Sequence, residues 1–152
     1  MVDSNDLKVV VRLMQNARAT WAELGALIGL SAPAAADRVR KMEDSGVIRS
    51  YAAVVDPEAV GLGLTAFIAV SLTASAYRSN FLALIASLPE VQECHHIAGE
   101  ADYLLKVRCI GTRHLERLIS EQIKCAAGIN TKTTIVLSTV KETVALPVLA
   151  ER

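Results

Sequence analysis

Trp21–Ile48 reads WAELGALIGLSAPAAADRVRKMEDSGVI, and this stretch decides how the first third of the chain folds. Thr20 and Glu23 have the spacing of a reciprocal cap, in which each side chain accepts the other's backbone N–H. Leu24, Leu27 and Ile28 recur at helical spacing and give a short helix an apolar face. Gly29 ends that helix, since glycine enters the left-handed conformation without steric cost. Ser31 caps a further helix, and Pro33 suits its first turn, where no N–H is needed. Val39 and Met42 are its inward residues, and Ser45-Gly46 stop it. Two short helices joined by a glycine turn form a helix-turn-helix, a layout that places its second helix in a DNA major groove.

Working outward, Asp6–Gln15 is a helix with Leu7, Val10, Val11 and Met14 on one face, and Asp3, Ser4 and Asp6 suit its N-terminus. Arg49–Val55 alternates and reads as a strand or wing. Asp56-Pro57-Glu58 and Gly61-Leu62-Gly63 then mark a boundary. Beyond it come a strand (Ala66–Leu72), a helix (Tyr77–Leu88) stopped by Pro89, and two strands (Val91–Ile97, Asp102–Cys109) joined through Gly99-Glu100. A helix (Thr112–Lys124) and a long strand (Ile129–Val140) complete the order. That order is βαββαβ, the ferredoxin-like arrangement. The expected class is therefore α+β: an N-terminal winged helix-turn-helix over residues 1–52, a hinge or linker strand over 53–63, and a C-terminal ferredoxin-like sandwich over 64–152. A sheet with helices on one face leaves the other uncovered, and a second copy of the chain is the expected cover.

Composition narrows the function. The 152 residues are 52% hydrophobic but only 4% aromatic, so the core is aliphatic. Sixteen basic residues balance sixteen acidic ones. Residues 1–55 hold seven basic and six acidic residues, so any DNA contact depends on a local patch and on more than one subunit. No apolar run reaches the roughly 18 residues a bilayer span needs, and the acidic start, MVDSNDLK, does not read as a signal peptide. Three scattered cysteines, Cys94, Cys109 and Cys125, are not a disulfide framework and suit a reducing cytoplasm. No membrane partner is expected.

The candidate DNA-facing residues are Ser31, Ala32, Ala34, Ala35 and Asp37 early in the third helix, with Arg38 and Lys41 one turn on and Arg40 flanking them. The plain alternative is a three-helix bundle with a solvated basic face. Gly99-Glu100-Ala101-Asp102 is either an acidic hairpin turn or a small-molecule site, in which glycine admits close backbone approach and the carboxylates pair with an ammonium. Cys94, His95 and His96 do not read as a metal site, because neighbours on a strand point to opposite faces. No Cys-x-x-Cys, nucleophile motif or phosphate loop is present, so no cofactor and no catalysis are expected. A ligand-binding or oligomerisation module that no longer reads DNA is the rival class.

Several segments together resemble the Lrp/AsnC (feast/famine) regulators of bacteria and archaea. They are Asp3…Asp6, Ala17-Arg18-Ala19, Gly29-Leu30-Ser31, Arg38-Val39-Arg40-Lys41-Met42-Glu43, Gly46-Val47-Ile48 with Tyr51, Val91–His95, Gly99–Leu105 and Gly128-Ile129. The resemblance spans essentially the whole chain in order. It implies a DNA-binding transcriptional regulator with a small-molecule effector, usually an amino acid, and dimers that assemble further, often to octamers. It also implies an effector pocket between subunits. Gly99, Glu100 and Asp102 carry over to it, with Thr134, Ile135 and Val136 of the last strand opposite. The chain departs from the family in the Ala32-Pro33-Ala34-Ala35-Ala36 entry to the third helix, which is poor in groups that read base edges. Specificity is therefore expected to rest partly on DNA shape.

Overall fold

A computed structural model describes residues 2–148; Met1 and residues 149–152 of the expected domain ranges lie outside the described residues. The chain divides into two compact units. One holds the residues up to Ala53 together with the tail from Lys141, and the other is Val54–Val140.

The first unit is three helices: α1 (Ser4–Gln15), α2 (Trp21–Ile28) and α3 (Ala32–Asp44). Asp3 and Asp6 form a reciprocal cap on α1, and Thr20 and Glu23 form another on α2. Gly29 ends α2 at φ +69, and Ser31 caps α3 through the Ala34 N–H. Val9, Leu13, Leu24, Ala35, Val39 and Met42 make the core. Leu24 is fully buried, so its truncation to Ala costs about 2–5 kcal/mol. Gly25 sits inward where α2 approaches the turn, and a Cβ there would lie 2.5 Å from the Leu30 carbonyl oxygen. In the tail, the Leu146 N–H donates to Sδ of Met14 at 3.3 Å.

The expected wing and hinge strand are not formed: among the described residues, 45–63 hold no strand. A strand exists only where a partner takes its backbone groups, and Arg49–Val55 has none among the described residues. Val54 is 83% exposed. Tyr51 instead folds back on α3, its hydroxyl donating to Glu43 Oε1 at 2.8 Å.

The second unit is a four-stranded sheet with helices on one face. Its elements are β1 (Leu64–Leu72), α4 (Arg78–Ser87), β2 (Val91–His96), β3 (Tyr103–Cys109), α5 (Thr112–Arg117) and β4 (Ile129–Ile135). The strand order is β2-β3-β1-β4, and every neighbouring pair is antiparallel. This is the βαββαβ sandwich expected above. The helix predicted over Thr112–Lys124 changes character midway: Leu118–Ile123 is π-helical, and the Lys124 N–H reaches the Ile119 carbonyl. β4 also ends earlier than its Val140 expectation. Its partner β1 starts at Leu64, and the last bond is from the Val136 N–H to the Thr65 carbonyl. Beyond that point no partner remains, and Leu137 and Val140 are almost fully exposed.

Ala66, Ile68 and Val70 of β1 and Leu105, Val107 and Cys109 of β3 face the helices and are fully buried with Phe81 and Leu118. Side chains alternate across a strand. Phe67, Ala69 and Ser71 therefore lie on the opposite, helix-free face, opposite Thr134, Lys132 and Asn130 of β4.

Candidate nucleic-acid interface and effector cleft

The outward stripe of α3 carries Asp37, Arg40, Lys41 and Asp44, all exposed. Arg40 Nη1 lies 2.7 Å from Asp37 Oδ1. Both partners are largely solvated, so this pair is worth little in stability; it holds the guanidinium over the helix rather than fixing it. Ala32 and Ala34 are half-buried near the start of the helix, and the Ser31 hydroxyl is used as the cap. Ala35, expected in the groove, has no exposed surface. Its spacing explains this: 35, 39 and 42 form one helical stripe, and Val39 and Met42 are core residues. That signal was in the sequence. Arg38 also differs from expectation. Its Nη1 lies 2.7 Å from Asp3 Oδ2 and 2.8 Å from Asp6 Oδ1, so it is tied to the start of α1. Asp3 holds its carboxyl below the ordinary carboxylate range, first because the Asp6 N–H donates to it and then because Arg38 does.

In the second unit, a cleft of about 480 Å³ opens on the helix-free face of the sheet. Its walls are Ala69 and Ser71 of β1, Ile97, Glu100 and Ala101 of the β2–β3 hairpin, and Asn130, Thr131 and Lys132 of β4. A carboxylate and an ammonium group thus share one cleft with a hydroxyl, an amide and small apolar groups. Gly99 neighbours Glu100 in the exposed hairpin turn.

Asp102 does something else. Its backbone N–H donates to the Val70 carbonyl at 2.9 Å, and its carboxylate accepts the Leu72 N–H at 2.7 Å. β3 turns away from β1 at this point, and the Asp102 side chain stands in for the missing ladder partner. The side chain is half-buried, and one of its two carboxylate oxygens is taken by the backbone. Thr134, Ile135 and Val136 are not brought to this cleft within one chain. They lie opposite Phe67, Ala66 and Thr65, at the other end of β4 from Asn130; Thr134 follows the nearest lining residue, Lys132, by two positions, about 7 Å along the strand. Lys132 has no assigned role in the sequence reading, because its place beside Ala69 depends on strand register.

Cys94, His95 and His96 do not converge. His95 Nε2 lies 3.1 Å from Glu93 Oε2, while the His96 ring stacks on Tyr103 with centroids 5.0 Å apart. Among the described residues no group of three or more His, Cys, Asp or Glu is placed to hold a metal ion. No helix there is long and apolar enough to cross a membrane.

Comparison with known proteins finds a match for each of the two units. Residues 2–43 match the AsnC-type helix-turn-helix domain, and residues 65–146 match the Lrp/AsnC ligand binding domain. The HTH-type transcriptional regulator LrpA of Mycobacterium tuberculosis is 38% identical over 138 residues, 91% of each chain. The leucine-responsive regulatory protein of Haemophilus influenzae is 32% identical over 93% of this chain and 87% of its own. Among solved structures, a transcriptional regulator of Neisseria meningitidis in complex with L-methionine superposes with a TM-score of 0.91 at 34% identity, covering 97% of both chains. A feast or famine regulatory protein of M. tuberculosis complexed with L-methionine gives 0.89 at 36% identity, over 96% of this chain and 99% of that one. Two domain matches in order, relatives above 30% identity over most of the chain and the shared fold place this protein in the Lrp/AsnC family: it is a DNA-binding transcriptional regulator with a ligand-binding domain, and not an enzyme.

Proposed function

We propose that this regulator binds a specific DNA sequence as a dimer or larger assembly in the cytoplasm, and that a free amino acid seated on the C-terminal sheet controls it. The observation that carries the sensor reading is the pairing of Glu100 and Lys132 on the walls of one cleft. An amino acid presents an ammonium and a carboxylate side by side, and this cleft offers a partner to each. Ser71 and Asn130 add hydrogen bonds, and Ala69, Ile97 and Ala101 leave room for a modest apolar side chain. Relatives solved with L-methionine support the class of ligand.

Self-association follows from the same sheet. Its helix-free face exposes Phe67, and a second copy covering that face buries it. A partner subunit also supplies the route by which Thr134, Ile135 and Val136 reach a shared pocket with Gly99, Glu100 and Asp102. The effector acts by binding one assembly more tightly than another, since only differential affinity shifts such a balance. DNA reading rests on Arg40, Lys41 and Asp37 of the exposed stripe, with a pseudo-palindromic site matching a two-fold assembly.

Isothermal calorimetry of the full chain against the twenty amino acids tests the sensor. One or a few should bind, and Lys132→Ala and Glu100→Ala should each remove the heat. Silence across the panel would end the amino-acid reading and leave DNA binding intact. Band shifts on a duplex selected from a random pool test DNA reading: affinity no tighter than for scrambled duplex refutes sequence specificity.

A further inference from the structure

Arg38 sits on α3, the helix proposed to read DNA, yet its guanidinium turns to the start of α1. The reciprocal cap of α1 uses one oxygen of each acid: Asp3 Oδ1 accepts the Asp6 N–H at 2.8 Å, and Asp6 Oδ2 accepts the Asp3 N–H at 3.1 Å. The two remaining oxygens, Asp3 Oδ2 and Asp6 Oδ1, both take Arg38 Nη1. All four carboxylate oxygens are thereby occupied. The cap holds both acids in fixed orientation before Arg38 arrives, so the contact costs little further ordering.

We infer that Arg38 is a positioning residue that sets α3 against the N-terminus of α1, and that it is not a phosphate ligand. Charge settles the competition. A DNA phosphate pulling Arg38 away leaves two carboxylates side by side, and the Asp6 side chain is only 14% exposed. Those two acids also repel an approaching phosphate. The exposed cations of α3 available to DNA are then Arg40 and Lys41, and the orientation of the stripe that carries them depends on where Arg38 is anchored.

The test separates the two roles by sign. Asp3→Asn with Asp6→Asn keeps both caps, since Asn caps helices as well as Asp, but removes the charges. As a phosphate ligand, Arg38 is freed by this change and DNA binding tightens. As a positioning residue, it loses its anchor and binding weakens, by roughly five- to tenfold. Binding of the full chain to a selected duplex is measured at several salt concentrations. Arg38→Ala should also weaken binding and leave the slope of log K against log salt unchanged. Arg40→Ala and Lys41→Ala should each lower that slope by about 0.9 for every phosphate no longer neutralised. Thermal melts identify the folded fraction. Tighter binding by the Asn variant, a reduced slope for Arg38→Ala, or a lower melting point with unchanged DNA affinity each overturns the inference. If Arg38→Ala fails to fold, the double Asn variant alone decides the sign.

Discussion

Replacing Gly25 by Ala sets two physical effects against each other. Gly25 lies inside α2, and helix propensity alone makes Ala more stable there by about 1 kcal/mol. The tertiary packing opposes it. An added Cβ would stand 2.5 Å from the Leu30 carbonyl oxygen and 3.1 Å from the Ser31 carbonyl carbon and oxygen. All are backbone atoms, so no side chain can swing aside. Relief requires the turn to move out, and α3 begins at Ala32, immediately after it. Overpacking costs about 1–3 kcal/mol, and with only backbone to yield the upper part of that range, about 2–3 kcal/mol, applies here; a net loss of roughly 1–2 kcal/mol remains, a fall in melting point of roughly 5–15 °C for a unit this small. Trp21, the single tryptophan, belongs to α2, so its fluorescence reports on this unit. DNA affinity should fall as well, because the start of α3 is displaced. Gly29 is the control: nothing lies within 4 Å of its added Cβ, but its φ is +69, so Gly29→Ala is strained and Gly29→Asn less so. A Gly25→Ala protein melting at or above the wild-type temperature refutes the reasoning, because propensity would then have outweighed the contact.

Asp102→Ala orphans the Leu72 N–H at the C-terminal end of β1 and should destabilise the second unit by about 1–3 kcal/mol in urea, with Asp102→Asn losing less. It should also weaken amino-acid binding by loosening the hairpin that holds Glu100; full stability of the Ala variant would show that the carboxylate is not a ladder partner. Tyr51 has its hydroxyl pushed up to about 12, first by burial and then by its hydrogen bond to the Glu43 carboxylate. Because the folded value lies above the ordinary value of 10.0, this hydrogen bond stabilises fully below pH 10 and ceases to do so as pH rises towards 12. The tyrosinate absorbance of wild type minus Tyr51→Phe should rise near pH 12; a rise near pH 10 refutes the hydrogen bond to Glu43.

Much of the fold was legible because its signals are short-range. The caps of α1, α2 and α3 join residues three apart, and Gly29 and Ser31 act on their own backbone. The βαββαβ order follows from periodicity and turn residues in turn. Errors fell where an element needs a partner. Arg49–Val55 alternates like a strand, yet has no strand to pair with among the described residues. β4 stops where β1 begins, although its sequence continues to favour a strand.

The candidate site divides along the same line. The chain alone marked the helix to expect at DNA, the turn that carries acids and the family the whole resembles, because each rests on residue types at fixed spacing. Tertiary structure alone decided what those residues do. Arg38 meets acids 32 and 35 positions away. Asp102 accepts a backbone N–H 30 positions away, and Lys132 shares a cleft with Glu100 only because β4 pairs with β1 in one register. A local pattern fixes where a side chain starts; the partner that satisfies its charge comes from elsewhere in the chain, and only the folded register brings it there.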